Sequence, residues 1–152
     1  MDIVFWKDKS KKQIDPELFS NKAEELAKLI SNESNDRTNA PTQIRKFYDE
    51  AIRFDGMIKS KPEEFEALLP YIKMLNAKAA YAHGRESGGK PLISRGFKDF
   101  INNSLKRVND REDFQVFSSF FEAFMGFYKL SYEENKNIAK QQREQYNKGG
   151  RR

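Results

Sequence analysis

The 152 residues include no cysteine, one histidine and one tryptophan, and each scarcity removes a class of chemistry. Without cysteine there is no disulfide, no thiolate metal site and no cysteine nucleophile, a composition compatible with a reducing compartment. His83 has no HxxxH spacing around it and no cysteine to join it, so it cannot assemble a zinc site. Nothing marks a nucleophile it would serve as a base, and it reads as a hydrogen-bonded structural residue. No apolar run reaches the roughly 18 residues of a membrane span. The start MDIVFWKDKSKK places a short apolar run before its lysines, the reverse of a signal peptide. A cytoplasmic protein with no membrane partner is expected.

Nucleotide and metal motifs are also wanting. In GRESGGKP, Gly84, Gly89 and Lys90 satisfy GxxxxGK, but Pro91 stands where a magnesium-binding Ser or Thr would be needed, and the segment follows a helix instead of a strand. It reads as a turn between helices. Glu63, Glu64 and Glu66 fall in a first helical turn, where acids are ordinary dipole and solvation choices. No catalytic constellation, metal site or cofactor site is expected, and the chain is read as not an enzyme.

What is present is charge, unevenly spread. The net charge of +5 hides a neutral body: residues 13–130 hold 18 cations and 18 acids, with the excess at the two ends. Within that body, residues 73–107 carry eight Lys and Arg against Glu86 and Asp99, whereas residues 13–72 carry eight cations against twelve acids. A local basic block in an otherwise acidic domain favours a polyanionic partner on one face, through phosphate contacts and counterion release.

Apolar residues recur at helical spacing along most of the chain. Asp15 and Pro16 look like an N-cap and first helical position, after which Phe19, Ala23, Leu26, Leu29 and Ile30 keep one face. SNESNDRTNA is polar and turn-rich, a mobile loop of about ten residues. A second helix starts near Pro41, capped by Thr42 or Asn39, with Ile44, Phe47, Tyr48, Ala51, Phe54 and Ile58 inward. On its wheel Arg45 lies at the edge of the apolar face, while Lys46 and Arg53 lie beside Asp49 and Glu50 as solvated ion pairs. A fourth helix buries Ile93, Phe97, Phe100, Ile101, Ser104 and Val108, with Arg95, Lys98, Asn102 and Lys106 opposite. A fifth holds six of the thirteen phenylalanines, between Phe114 and Phe127, and packs on several neighbours. At this length about two thirds of the unfolded surface can be buried. The expectation is an all-α fold, a compact bundle of about five helices with no β-sheet. Its organisation is an N-terminal extension (1–14), a helical domain (15–130) and a basic C-terminal helical extension or flexible tail (131–152).

The third helix organises the rest. Phe65, Leu68, Ile72, Leu75, Ala79 and Ala82 form one stripe, with a kink or restart expected at Pro70. Tyr71, Met74, Lys78, Tyr81 and Arg85 form a second line beside it, cations interleaved with tyrosines as on a nucleic-acid-binding surface. Arg45, Lys78, Tyr81 and Arg85 are the leading RNA-binding candidates, and charge segregation adds Arg95, Lys98 and Lys106. A helical interaction module whose basic face docks an acidic protein partner is the alternative.

Three blocks, PTQIRKFYDE (Pro41 to Glu50), LPYIKMLNAKAAYAHGR (Leu69 to Arg85) and FFEAFMGFYK (Phe120 to Lys129), together resemble the small subunit of the type III-A CRISPR (Csm) effector complex over residues 15–130. The resemblance implies a non-catalytic, all-helical subunit that binds no metal. It implies copies stacked in a short filament beside other subunits of the complex, gripping target RNA through backbone phosphates, with guide RNA engaged only indirectly. Specificity then comes from base pairing to the guide.

Overall fold

In the computed structural model, which describes residues 1–150, six α-helices follow one another: α1 (Ala23–Asn32), α2 (Pro41–Ser60), α3 (Phe65–Lys73), α4 (Leu75–Gly84), α5 (Arg95–Lys106) and α6 (Arg111–Gly149). The helices α3 and α4 meet at Met74 as one broken rod, so the bundle is the all-α fold of about five helices predicted. Two antiparallel hairpins sit at its margins, β1 (Trp6–Asp8) with β2 (Gln13–Ile14) and β3 (Glu86–Ser87) with β4 (Lys90–Pro91). Strands of two or three residues add ties between loops and no sheet layer.

The phenylalanine-rich part of α6 is the centre of the core. Phe114, Phe117, Phe120, Phe121 and Phe124 are buried there, against Phe97 and Phe100 of α5 and Phe47 of α2. Phe47 meets Phe97 edge to face at 5.4 Å, and Phe100 lies 5.2 Å from Phe124, spacings at which aromatic pairs add to the burial of their area. The buried faces of α2 (Ile44, Phe47, Ala51, Phe54, Ile58) and α5 (Phe97, Phe100, Ile101, Ser104, Leu105) follow the helical period.

Three local features depart from the periodic reading. A π-helical turn, Leu18–Lys22, precedes α1 and rotates the chain, so that Leu18 is fully buried while Phe19 is 38 % exposed. Within α1, Leu26, Ala27 and Ile30 face the core and Leu29 stays outside. The break after Pro70 falls four residues downstream, where the Met74 N–H is shared between the carbonyls of Pro70 and Tyr71 and tightens the last turn of α3.

The third departure is the connection from α1 to α2, predicted to be mobile. It is held by Asn39, which is fully buried with φ of +57°. Asn39 Nδ2 donates to Ser94 Oγ, the Ser94 N–H donates back to Asn39 Oδ1, and the Asn39 carbonyl accepts from the Tyr128 hydroxyl at 2.6 Å. Thr38 donates to the Pro91 carbonyl. Asn39 is therefore a tie between helices, and Ala40, which offers no side-chain cap, precedes Pro41 at the helix start. Beside it Glu33 accepts from Ser94 Oγ, and a Cβ on Gly96 would overlap the Glu33 carboxylate, so Gly96 lets that anion reach the N-terminus of α5.

Residues 1–14 join the body closely. Ile3 and Phe5 are in the core, the Trp6 indole donates to Asp113 Oδ1 at 2.8 Å, and Lys9 Nζ reaches both Asp110 and Asp113. At the other end, Asn135 donates to Ser31 and Asn32 of α1, and from Lys136 onward every described residue of α6 is exposed. The helix is about 58 Å long at 1.5 Å per residue, and its last 14 or so residues project beyond the body. Arg151 and Arg152, the end of the predicted C-terminal extension, lie outside the described residues.

Candidate nucleic-acid interface

Two helical stripes face each other across a surface groove. From α2 come Gln43, Lys46, Phe47 and Glu50, at spacings of three and four residues, with Asp49 at the margin. From the opposite side come Leu75, Lys78 and Ala82, one face of α4, with Arg85 just past its end and Tyr81 beside them. Leu92, just after β4, closes the floor with Phe47, Leu75 and Ala82. The groove encloses about 490 Å³ and is open to solvent.

Its charge is arranged by neighbours. Lys78 Nζ lies 3.5 Å from Glu50 Oε2, and the same carboxylate takes a 3.0 Å hydrogen bond from Arg53. That bond, with the nearby Lys78 charge, holds the Glu50 carboxyl below the usual glutamate range against the opposing effect of burial. Among the described residues, Lys46 and Arg85 have no ion-pair partner. Tyr81 is 68 % exposed.

The seven residues singled out from sequence do not come together. Lys78, Tyr81 and Arg85 share the groove. Arg45 is not among its lining residues; its guanidinium lies 3.9 Å from Asp49, a weak pair of exposed groups. The groove cation from α2 is Lys46, which the wheel assigns to a solvated ion pair. The reason is a one-residue rotation: position 46 lies three residues after Gln43 and four before Glu50, on the flank turned to α4. The cations of α5 lie outside the groove. Arg95 and Lys98 both approach Asp99, at 3.7 and 3.8 Å, and Arg95 borders a depression formed with Met1 and Leu29. Lys106 lies near Trp6, Lys9 and Arg107.

Two other motifs resolve into structure. Gly88 and Gly89, with φ of +61° and +79°, form the two-residue turn of the β3–β4 hairpin, and Lys90 pairs with Asp36 at 3.0 Å. His83 Nδ1 lies 2.9 Å from the Ile93 carbonyl, an acceptor that requires the proton on Nδ1 and ties α4 to the start of α5. Among the described residues, no group of three or more His, Cys, Asp or Glu is placed to hold a metal ion. No helix among them is long and apolar enough to cross a membrane. The groove thus brings together three cations, the carboxylates of Asp49 and Glu50, an exposed aromatic ring and an apolar floor.

Comparison with known proteins places these elements in context. The family model described as Csm2 Type III-A matches residues 13–135. The chain is 30 % identical over 115 residues to the CRISPR system Cms protein Csm2 of Streptococcus thermophilus, a match spanning 75 % of this chain and 91 % of that protein. No solved structure matches. The groove falls within the family match, and the projecting end of α6 falls beyond it.

Proposed function

The chain belongs to the Csm2 Type III-A family, the small subunits of type III-A CRISPR effector complexes, and from that premise we propose that it grips target RNA in the α2–α4 groove. Lys46, Lys78 and Arg85 contact backbone phosphates without reading sequence, and Tyr81 stands among them. Arg45 flanks the groove on α2 as a secondary contact. Arg95, Lys98 and Lys106, on α5 and outside the groove, are left for contacts with neighbouring subunits. The subunit catalyses nothing; base pairing with the guide RNA, held elsewhere in the complex, supplies specificity. Several copies stack along one strand in the cytoplasm, so that a few phosphate contacts per copy add up to useful affinity.

What supports this reading is one observation: α2, and α4 with the residue that follows it, bring three cations to an open groove whose floor is apolar. The exposed Phe19, Leu29, Met1 and Val4 are apolar surface available to protein partners in such an assembly.

The experiment is a salt series of single-stranded RNA binding by fluorescence anisotropy. Each phosphate left unneutralised lowers the slope of log K against log salt by about 0.7. Lys46→Ala, Lys78→Ala and Arg85→Ala should each weaken binding and flatten that slope. Salt-indifferent binding, or assembly that fails while RNA binding persists, would favour docking of an acidic protein partner instead.

A further inference from the structure

We infer that Tyr81 is a stacking platform for one unpaired RNA base per copy, so that the groove takes a nucleotide, base and phosphate together. This rests on the RNA reading of the groove and specifies its ligand.

The first observation is position. Tyr81 follows Lys78 by three residues and precedes Arg85 by four, so one helical turn on each side of the ring carries a cation. A strand whose phosphates meet those two cations passes its sugars and bases across the ring between them. The second is exposure: at 68 %, Tyr81 leaves much of its ring uncovered, while every phenylalanine of the α5–α6 core is packed. Its hydroxyl has no hydrogen-bond partner among the described residues, so neither packing nor hydrogen bonding fixes it to the body. Bases stack on such rings whatever their identity, because each has a π-face.

The third observation is the make-up of the groove. A site for phosphate alone has no use for Asp49 and Glu50 on its wall or for a floor of Phe47, Leu75, Ala82 and Leu92. Glu50, 3.5 Å from Lys78 Nζ, takes up part of that cation's charge, and Asp49 opposes a phosphate on the α2 wall, which leaves Lys46 and Arg85 as the stronger phosphate contacts. The apolar floor then accepts a planar base, and Gln43, on the same wall, offers an amide to its edge. The volume of about 490 Å³ is within the range of pockets that take small organic ligands, and a single nucleotide is of that class. A duplex turns its bases inward and cannot offer one to the ring, so the ligand is a single strand, or a strand with one base turned out of its stack.

The test uses the full chain at low salt and two labelled probes: a short oligouridylate, and an abasic ribose-phosphate oligomer of the same length. Stacking of one base predicts oligouridylate binding about tenfold tighter than the abasic strand. Y81A should abolish that preference without changing abasic affinity, and Y81F should retain it. Equal affinity of the wild type for the two probes overturns the proposal, as does a Y81A variant that weakens both alike. If the cation variants weaken both probes while the base makes no difference, phosphate binding stands and stacking alone is wrong. If neither probe binds, or K78A and R85A change nothing, the RNA reading of the groove fails and the role of Tyr81 with it.

Discussion

Asn39 and Ser94, 55 positions apart, exchange two hydrogen bonds of 2.8 Å, the amide Nδ2 donating to the Ser94 hydroxyl and the Ser94 N–H donating to the amide oxygen. One partner precedes α2 and the other is the N-cap of α5, with Ser94 Oγ also accepting from the Phe97 N–H. Because α4 runs into α5 through the β3–β4 hairpin, this pair fixes one groove wall relative to the other. Asn39→Ala removes both bonds and places alanine at a positive φ, for an expected loss of about 2–4 kcal/mol. Asn39→Gly relieves the backbone and should recover part of it. Urea unfolding midpoints measure both, and a wild-type midpoint for Asn39→Ala would show the tie to be idle.

The amino-terminal strand is clasped through Asp113, which is 2 % exposed. Burial opposes its ionisation, but hydrogen bonds from Lys9, Trp6 and the Asn109 N–H outweigh that and hold the carboxyl below the ordinary aspartate value of 3.8. The folded state then binds this proton less tightly than the unfolded chain. The stabilisation is present above the ordinary value and is lost as pH falls through the lower folded one. Asp113→Asn should destabilise by about 1–3 kcal/mol at neutral pH and flatten the acid limb of a stability–pH profile. An acid limb as steep as that of the wild type would remove Asp113 as its source.

Tyr128 supplies the opposite limb. Burial raises its phenol from 10.0 to about 12, partly countered by the hydrogen bond with Ser34, and its hydroxyl also donates to the Asn39 carbonyl. The unfolded chain loses this proton first, so stability falls as pH rises from about 10 toward about 12. In an alkaline absorbance titration, Tyr128 should ionise last of the six tyrosines, after Tyr48, which burial also raises. Tyr128→Phe should delete that late step and lower stability by about 1–3 kcal/mol.

The described residues of α6 beyond Asn135 are all exposed and project from the body. Deleting residues 137–152 should reduce helical ellipticity while leaving the unfolding free energy within about 0.5 kcal/mol of the full chain. A large fall in midpoint would mean that this segment packs on the bundle.

The helical faces of α2, α5 and α6 are legible in the sequence because burial there follows the 3.6-residue period, and the exposed line Tyr71–Met74–Lys78–Tyr81–Arg85 is legible for the same reason. What escapes such a reading depends on rotations smaller than a periodic pattern resolves, or on distant contacts. The π turn exchanges Phe19 for Leu18 by a single residue, and the same order of rotation exchanges Arg45 for Lys46 in the groove. Asn39 reads as a loop residue because its partners, Ser94 and Tyr128, are 55 and 89 positions away. Trp6 meets Asp113 across 107 positions, which hides the tie between the first strand and the body. The cation-rich face of α5 is visible, but that it lies outside the α2–α4 groove follows from tertiary packing alone.

The most direct test of RNA binding in the groove compares two triple variants, each reconstituted into the effector complex and titrated with target RNA across a salt series. In one, Lys46, Lys78 and Arg85 become alanine; in the other, Arg95, Lys98 and Lys106 do. Phosphate binding in the groove requires the first to lower affinity at least about tenfold and to reduce the salt slope, by about 0.7 for each phosphate left unneutralised, while the second stays near wild type. Equal falls in affinity for the two variants, or a groove variant that binds like the wild type, would contradict it.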